Sequence, residues 1–276
     1  MQIKRIVEIF KKLNAYDHFL VFLVILSVLK ITNVFIENDT EAGLHFMKLG
    51  AALFVISSVL YLAFKYGIDK RKKYQHVLIS TFLILLVLSH GDPELVRGLL
   101  VILFLFISKF LIKYKKQNIF NPIVFAIGFT TLLAFFIPAI GIPPLDWSGI
   151  DIRFIIFDTA IPLSLLPIIL ALIFNVGRIR KHPLALSFIA TSLLLGFLIN
   201  TYDSNYISYI ISTTFIGAAI IVEPKTSPNK TNEQLTYGIV MAFVIATFSF
   251  VKIPNAPIMG LMLGNILYFI YKRMKH

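Results

Sequence analysis

The chain has 276 residues, of which 58% are hydrophobic and only 14% are charged, and its mean hydropathy is +0.84. Because a soluble domain carries about 25% charged residues, this composition predicts a polytopic membrane protein. The chain contains no cysteine, which excludes disulfides, thiolate metal sites and cysteine-ligated iron–sulfur clusters within it. The formal net charge of +12 would suit nucleic acid, but its distribution along the chain has another explanation.

Ten apolar segments follow one another along the chain. Each is close to the ~20 residues that an α-helix needs to cross the hydrocarbon core of a bilayer. The segments are 18–36, 44–66, 76–90, 95–112, 120–140, 152–176, 183–199, 206–222, 236–251 and 256–271. The third and the ninth are short, so they are predicted to be tilted, broken or partly re-entrant. The sequence thus predicts an all-α polytopic membrane protein with about ten transmembrane helices in a single membrane domain, 1–276, after a basic, amphipathic N-terminus over residues 1–17.

Basic and acidic residues alternate from one connection to the next. Both termini and every second connection hold 21 of the 26 lysine and arginine residues, whereas acidic residues lie in the connections between them, at 37–41, 92–94, 146–151 and 203. Since basic residues concentrate on the cytoplasmic side, this pattern predicts a multi-pass plasma-membrane protein with both termini in the cytoplasm. The lipid bilayer is its expected surroundings, and the net charge requires no nucleic-acid partner. Lys30 and Lys48, near outer segment ends, are expected to extend their amines to the membrane surface.

The ten segments divide into two groups of five, over residues 18–140 and 152–271. Because five is odd, the second group would cross the membrane in the opposite orientation, as in an inverted repeat. A short echo supports this division, since the fifth segment opens with Asn121-Pro122-Ile123 and the tenth with Asn255-Ala256-Pro257-Ile258. Inverted repeats place polar sites between their halves, near broken helices. The start of the fifth segment is therefore a candidate site.

That start has the residues expected of a ligand site at a helix N-terminus. A basic loop from Lys113 leads to Asn121, which stands where an N-cap belongs. Pro122 suits the first turn of a helix, because it lacks the N–H that would have no partner there. Asn118 lies three residues before Asn121, so two amide side chains would lie close together at the positive end of the helix. This arrangement suits a polar ligand.

Polar residues also interrupt the sixth segment, where Asp158 and Thr159 precede Pro162 and Pro167. Two interpretations of these residues are open. In one, the prolines open the helix, and freed carbonyl groups and Asp158 face a ligand. In the other, the helix is merely kinked and Asp158 is solvated in the outer headgroup region.

The eighth segment and the loop after it contain a second group of candidates. Thr213 and Thr214 suit either a ligand wall or close helix packing. The loop reads Glu223-Pro224-Lys225-Thr226-Ser227-Pro228, so two prolines bracket an acid, a base and two hydroxyl groups. Glu223, Lys225, Thr226 and Ser227 form either part of a site or an ordinary rigid turn. The sequence has no glycine-rich phosphate loop, nucleophile elbow or metal-binding motif.

Together these stretches resemble one family, the RnfD/NqrB family of flavin-carrying membrane proteins. Its members belong to two ion-coupled redox complexes, the Rnf electron-transport complex and the sodium-translocating NADH:quinone reductase. The motifs that carry the resemblance lie in roughly the last two-thirds of the chain and are Phe120-Asn121-Pro122 after a basic loop, the run from Phe215 through Glu223–Pro228, Tyr237-Gly238 and Gly264-Asn265. The resemblance implies an inverted-repeat fold similar to that of urea channels, and electron transfer through flavin in the membrane.

The same resemblance implies which residues hold the cofactor. Asn118 and Asn121 would line a flavin site on the cytoplasmic side, and the Glu223–Pro228 turn would close it. The family attaches FMN to a threonine in a Ser-Gly-Ala-Thr-type motif, whereas this chain has Asp158-Thr159-Ala160-Ile161 there. Ile161 offers no hydroxyl at the acceptor position, and Thr159 would point elsewhere on a helix. The expected cofactor is therefore a non-covalent flavin, either riboflavin or FMN.

The leading hypothesis is a flavin-binding subunit of an electron-transport system. A flavin suits a chain without cysteine, because its ring carries the electrons while the protein supplies placement and field. The chain has no nucleotide-binding domain, so a soluble or membrane-associated reductase that uses flavin, ferredoxin or NAD(P)H would act with it, alongside other subunits of a redox complex. Two alternatives stay open: a channel or transporter for a small solute on the same fold, and an assembly subunit whose cofactor sites have decayed.

Overall fold

The computed structural model describes residues 13–37, 40–67, 74–88, 94–114, 117–137, 152–156, 159–199 and 206–274. In these ranges the chain forms ten α-helices, two of which continue into a π-helix, and two short antiparallel hairpins. The helices are α1 (Ala15–Glu37), α2 (Thr40–Gly67), α3 (Gln75–Val87), α4 (Glu94–Phe106, then the π-helix Ile107–Leu111), α5 (Pro122–Phe136), α6 (Leu165–Arg178), α7 (His182–Ile199), α8 (Tyr206–Phe215, then the π-helix Ile216–Ile220), α9 (Thr231–Phe250) and α10 (Ala256–Met274). The hairpins pair β1 (Lys113–Tyr114) with β2 (Gln117–Asn118), and β3 (Phe154–Ile156) with β4 (Thr159–Ile161).

Among the described residues, three helices are long and apolar enough to cross a membrane, with 22 residues of α1, 27 of α2 and the 20 of α9. Shorter apolar helices accompany them in the described part of the chain, namely α3, α5, α6, α7 and α8. Large apolar side chains stay exposed on these elements; Val55, Phe197 and Phe243 are 63%, 69% and 53% exposed. Extensive exposed apolar surface indicates a lipid bilayer as the surroundings. The chain is therefore a predominantly helical membrane protein.

The sixth apolar segment differs from its prediction. The sequence favoured one helix over residues 152–176, either opened or kinked at its prolines. The structure instead forms the β3–β4 hairpin first, and α6 begins only at Leu165. Pro162 thus precedes the helix, and Pro167 lies in its first turn, where the missing N–H has no intrahelical role. The helical prediction was wrong here, because a short apolar run does not distinguish a strand from a helix.

The helices pack in two groups that meet along two helix pairs. In the first group, α1 packs against α2 and α3, and α4 packs against α5. In the second group, α6 packs against α7 and α8, while α9 packs against α7 and α10. The groups meet where α1 packs against α6 and where α5 packs against α10. Buried phenylalanines fill the core in both groups, among them Phe46, Phe106, Phe188 and Phe215.

Gly238 allows α9 to approach α7 closely. A Cβ atom at this position would lie 2.1 Å from Oγ of Ser187 and 2.8 Å from the backbone oxygen of Leu184. Small residues permit such close contact between helix backbones in membranes, where dispersion contacts provide much of the association energy. Gly238 is therefore required by packing.

Lys30 does not extend its amine to the surface, contrary to the prediction from the sequence. Its side chain is only 4% exposed, and its Nζ donates hydrogen bonds to the backbone oxygens of Leu85 at 3.1 Å and Leu86 at 2.9 Å. Lys48, by contrast, is exposed on α2. The prediction for Lys30 was wrong because the carbonyl groups at the end of α3 provide polar partners inside the protein.

Candidate functional site

The hairpin β1–β2 leads, through residues 119 and 120, into the start of α5. Asn121 caps this helix, since its Oδ1 accepts a hydrogen bond from the N–H of Ile123 at 3.1 Å. Pro122 occupies the first helical turn. The cap satisfies one of the N–H groups that have no partner within the helix. The N-cap predicted at Asn121 is confirmed.

Asn121 also connects α5 to α10 and to the π-helix after α8. It is 5% exposed, and its backbone N–H donates to Oδ1 of Asn265 at 2.7 Å. Its side-chain Nδ2 donates to the backbone oxygen of Ile220 at 3.0 Å. Asn265 in turn donates its Nδ2 to the backbone oxygen of Leu261 at 2.7 Å. Because these buried amides have partners, Asn121 and Asn265 form a polar connection within an apolar interface.

A second polar contact lies at the other end of the same helix pair. Asn255, which immediately precedes α10, adopts a left-handed backbone conformation with φ of 53°. Its Nδ2 donates to Oγ1 of Thr131 at 3.3 Å. Thr131 is the tenth residue of α5, just as Asn265 is the tenth residue of α10. The asparagine before each helix therefore contacts the same position of the opposite helix.

Five of the predicted site residues line one cavity of about 80 Å³, which we call the inner cavity: Asn118, Asn121, Pro122, Glu223 and Lys225. Side chains from α1 and α3 and from the π-helix after α4 complete its wall. Pockets that enclose drug-sized ligands have volumes of ~300–1,000 Å³, whereas one water molecule takes up ~30 Å³. In this conformation the inner cavity therefore has room for a few water molecules or one small solute, and not for an isoalloxazine ring.

Both π-helices border the inner cavity. Lys109 in the first is 6% exposed, and its Nζ donates to the backbone oxygen of His76 at 2.7 Å and to Oγ of Ser80 at 3.3 Å. Ala219 in the second also lines the cavity. π-Helical turns occur frequently at functional sites, because they shift carbonyl groups away from the regular helical pattern. The cavity therefore lies where two helices depart from α-helical hydrogen bonding.

A larger cavity of about 460 Å³, the outer cavity, shares Asn118 and Lys225 with the inner one. Its lining combines amide and hydroxyl groups, aromatic rings and cations, from Asn118, Thr226, Asn265, Tyr114, Tyr268, Phe269, Lys225, Lys272 and Arg273. The rings of Tyr114 and Phe269 pack edge to face with centroids 5.5 Å apart, and the Arg273 guanidinium lies 5.5 Å from the Tyr114 centroid. In size and chemistry, the outer cavity suits a flat aromatic ligand with hydrogen-bonding groups.

Internal hydrogen bonds hold the Glu223–Pro228 turn. The N–H of Thr226 donates to the backbone oxygen of Glu223 at 3.2 Å, and Oγ of Ser227 donates to the same oxygen at 2.7 Å. Thr226 and Ser227 are buried, at 6% and 3% exposure, whereas Lys225 is exposed and lines both cavities. The Ser227 hydroxyl thus shapes the turn, whereas Lys225 lines both cavities, Glu223 the inner one and Thr226 the outer one.

Lys181, in the loop between α6 and α7, also holds this turn. It is 2% exposed, and its Nζ donates to the backbone oxygen of Ser227 at 3.3 Å, to Oδ1 of Asn229 at 2.9 Å and to the backbone oxygen of Pro228. Burial lowers the pKa of Lys181 from 10.5 to about 8, and the charge of Glu223 acts in the opposite direction. In the sequence, Lys181 is only one of three basic residues in a connection, and nothing there indicates that it is buried. Its partners lie 46 to 48 residues away, and no local pattern indicates them.

Two of the remaining predicted site residues, Thr213 and Thr214, lie elsewhere. Thr213 and Thr214 are buried in α8, and Thr214 donates its hydroxyl to the backbone oxygen of Ile210 in the same helix at 2.7 Å. They line neither the inner nor the outer cavity. Asp158 lies outside the described residues. Thr159 and Ile161 belong to β4, so the helical geometry assumed for them was wrong.

In the part of the chain that the structure describes, no group of three or more histidine and acidic residues is positioned to hold a metal ion. The chemistry of the two cavities is therefore inferred from the residues that line them. Comparison with known proteins adds no relative: no protein-family model matches the chain, and no curated protein matches it significantly.

Proposed function

We propose that the protein is a flavin-binding subunit of a membrane electron-transport system, with a non-covalent riboflavin or FMN in the outer cavity. The lining of this cavity carries the proposal. Its three aromatic side chains offer surfaces for the isoalloxazine ring, and Asn118 and Asn265 offer amide groups for the polar edge of that ring. The cationic groups of Lys225, Lys272 and Arg273 would favour the reduced, anionic form of the flavin.

The sequence motifs support the same function. Asn121 and Pro122, together with the Glu223–Pro228 turn, carry the resemblance to the membrane proteins of the Rnf and sodium-pumping reductase complexes, and they also border the two cavities. By this analogy, electrons would come from a soluble or membrane-associated reductase that oxidises ferredoxin or NAD(P)H or carries flavin. Other subunits would complete an ion-coupled redox complex. The basic residues around the outer cavity would attract an acidic surface on the reductase.

We further propose ten membrane spans in two inverted five-helix repeats, similar to those of urea channels, with both termini in the cytoplasm of a plasma-membrane protein. The equivalent packing of α1 with α2 and α3, and of α6 with α7 and α8, supports such a repeat. Asn121 and Asn255 are 134 residues apart, and so are Thr131 and Asn265. Because each asparagine contacts the opposite helix at the corresponding residue, the contacts are those expected around a pseudo-two-fold axis between α5 and α10.

The absorbance of the purified protein tests the flavin proposal. Protein extracted in a mild detergent should be yellow and contain close to one flavin per chain. After acid precipitation the flavin should stay in the supernatant, because Ile161 offers no hydroxyl for a phosphoester bond. Colour in the pellet would contradict non-covalent binding. Colourless protein that takes up neither added riboflavin nor added FMN would contradict the proposal as a whole.

Two neighbouring substitutions on α10 test the location. Phe269 lines the outer cavity, whereas Leu267 does not line it and is 48% exposed. Loss of an aromatic contact removes ~0.5–1.5 kcal/mol, so Phe269→Ala should bind flavin about 2- to 10-fold more weakly. Leu267→Ala should bind it as the wild type does. Equal affinity of all three proteins in a flavin titration would exclude the outer cavity as the binding site.

The size of the inner cavity favours a second candidate function, that of a channel or transporter for a small neutral or cationic solute. A volume of about 80 Å³ lined by Asn118, Asn121 and Lys109 fits a small polar molecule better than a flavin. Liposomes that contain the protein distinguish the two functions. Colourless protein that accelerates the uptake of a small solute would support the channel, whereas yellow protein in impermeable liposomes would support the electron carrier.

A further inference from the structure

Lys30 belongs to α1, one of the helices that are long and apolar enough to cross a membrane, and it lines neither the inner nor the outer cavity. Lys30 precedes the end of α1 by seven residues, which corresponds to about 10 Å along the helix. Its Nζ donates to the backbone oxygen of Leu85 at 3.1 Å, to that of Leu86 at 2.9 Å and to that of Leu88. Lys30 is only 4% exposed, so these hydrogen bonds form inside the protein.

These oxygens gather at one point because α3 is short. The helix ends at Val87, and the carbonyl groups of its last turn have no partner further along the helix. The N–H of Leu88 turns back to the oxygen of Ile84, which leaves the next oxygens directed beyond the helix end. The macrodipole also gives this end a partial negative charge. A short helix that ends inside a membrane protein thus creates a place for a cation.

An aromatic ring also contacts the ammonium group of Lys30. The Nζ atom of Lys30 lies 4.9 Å from the centroid of the Phe46 ring, within the distance of a cation–π interaction. Phe46 is fully buried, so the ring and the ammonium group attract each other without competing water. Three carbonyl oxygens and one aromatic ring are therefore among the groups that contact this positive charge.

This is the chemistry that membrane proteins use for mobile monovalent cations. Carbonyl oxygens replace the hydration shell of K⁺ in channel filters, and the C-terminal carbonyls of half-helices bind Na⁺ in transporters. We propose that the end of α3 is a monovalent-cation site that Lys30 fills with its tethered ammonium group. Lys30 thereby keeps Na⁺, K⁺ and small ammonium ions out of a site that the backbone carbonyls of α3 would otherwise provide.

The alternative is that Lys30 is a hydrogen-bonding strut, whose charge has no specific site. The two differ in one respect, namely whether a free cation replaces the lost side chain. Lys30→Ala removes the ammonium group and leaves room for a small ion. Thermal unfolding in detergent would then be measured in methylammonium, ammonium, potassium and sodium chlorides and, at equal ionic strength, in N-methyl-D-glucamine chloride, whose cation is too large. Lys48→Ala is the matched control, because Lys48 is exposed on α2.

We expect the Tm of Lys30→Ala to rise by about 2–4 °C or more in methylammonium or another small cation, and the rise to saturate with concentration. Wild type and Lys48→Ala should have the same Tm in all five salts. A folded Lys30→Ala protein with one Tm in every salt would overturn the proposal. So would a Lys30→Ala protein that fails to fold even in methylammonium. Lys30→Met, which fills the space without a charge, should be less stable than wild type in every salt, and equal stability would also overturn it.

Discussion

Asn121→Ala tests whether the polar connection at the start of α5 holds the helices of the candidate site together. The substitution removes the Oδ1 atom that caps α5 and the Nδ2 atom that donates to the backbone oxygen of Ile220. It keeps the backbone N–H that donates to Asn265. The loss therefore comes from two side-chain hydrogen bonds whose costs can be assessed separately.

The two losses have different sizes. Loss of an asparagine N-cap costs ~0.5–2 kcal/mol. Ile220 is 1% exposed, and the other hydrogen bond to its oxygen, from the N–H of Glu223, is long at 3.4 Å. A buried carbonyl that loses its better donor costs ~1–3 kcal/mol. We expect a combined loss of about 2–3 kcal/mol, which in a chain of this size lowers the Tm by about 4–12 °C.

Thermal unfolding in detergent, followed by the helical circular dichroism signal, measures this loss. Asn121→Ser keeps a capping oxygen and loses only the amide donor, so its Tm should lie about midway between wild type and Asn121→Ala. Asn255→Gly is the matched control at the other end of the helix pair, because glycine tolerates the left-handed backbone that alanine would strain. It removes a longer hydrogen bond of 3.3 Å to Thr131, which keeps its own bond to Ile127, and should cost less than ~1 kcal/mol. Equal losses of stability in Asn121→Ala and Asn255→Gly would show that Asn121 does not hold α5 against α10 and α8.

Two further predictions concern packing and pH. Gly238→Ala should lower the Tm by an overpacking cost of ~1–3 kcal/mol, because its Cβ would lie 2.1 Å from Oγ of Ser187. Gly50→Ala, whose Cβ would meet Leu85 at an ordinary 3.5 Å, should equal or exceed wild type, and equal Tm values for the two variants would contradict the packing argument. The pKa of Lys181, about 8 when folded and 10.5 in the reference state, predicts that its contribution to stability rises between these pH values, because the unfolded chain binds the proton that the folded chain has released. Lys181→Met should remove this rise from the pH dependence of the Tm, and an unchanged slope would refute the assignment.

The sequence predicted the helices best where apolarity and a local start signal act together. The fifth segment was expected from residue 120, and α5 begins at Pro122 because Asn121 provides the cap. The helix predicted for the start of the sixth segment was wrong, because the apolar residues there fit a strand and a helix equally well. The prolines correctly indicated that the structure changes here. They were expected to interrupt a helix, whereas Pro162 follows the last strand of a hairpin.

Residues of the candidate site that are close together in sequence could be predicted, but their distant partners could not. Asn118 and Asn121 stand near each other in sequence, and both line the inner cavity. Asn265 contacts Asn121 from 144 residues away, and only the packing of α5 against α10 brings them together. The π-helices escaped prediction for a related reason: an apolar sequence supports α- and π-helical hydrogen bonding alike, and the choice depends on neighbouring helices.

Three buried lysines show that a basic residue in this sequence does not always mark the membrane surface. Lys109 and Lys181 belong to connections that are rich in basic residues, yet both are buried and bind backbone oxygens, as Lys30 does. A carbonyl group without a partner is costly in a membrane, and an ammonium group supplies up to three donors. Lysine therefore suits places where a helix stops or changes its hydrogen bonding, such as the end of α3. Lys30 departs from the charge pattern and faces the segment that was predicted to be short. A basic residue that departs from the pattern and is buried, as Lys30 is, thus indicates backbone carbonyl groups without helical partners nearby, whereas Lys48, which also departs from the pattern, is exposed.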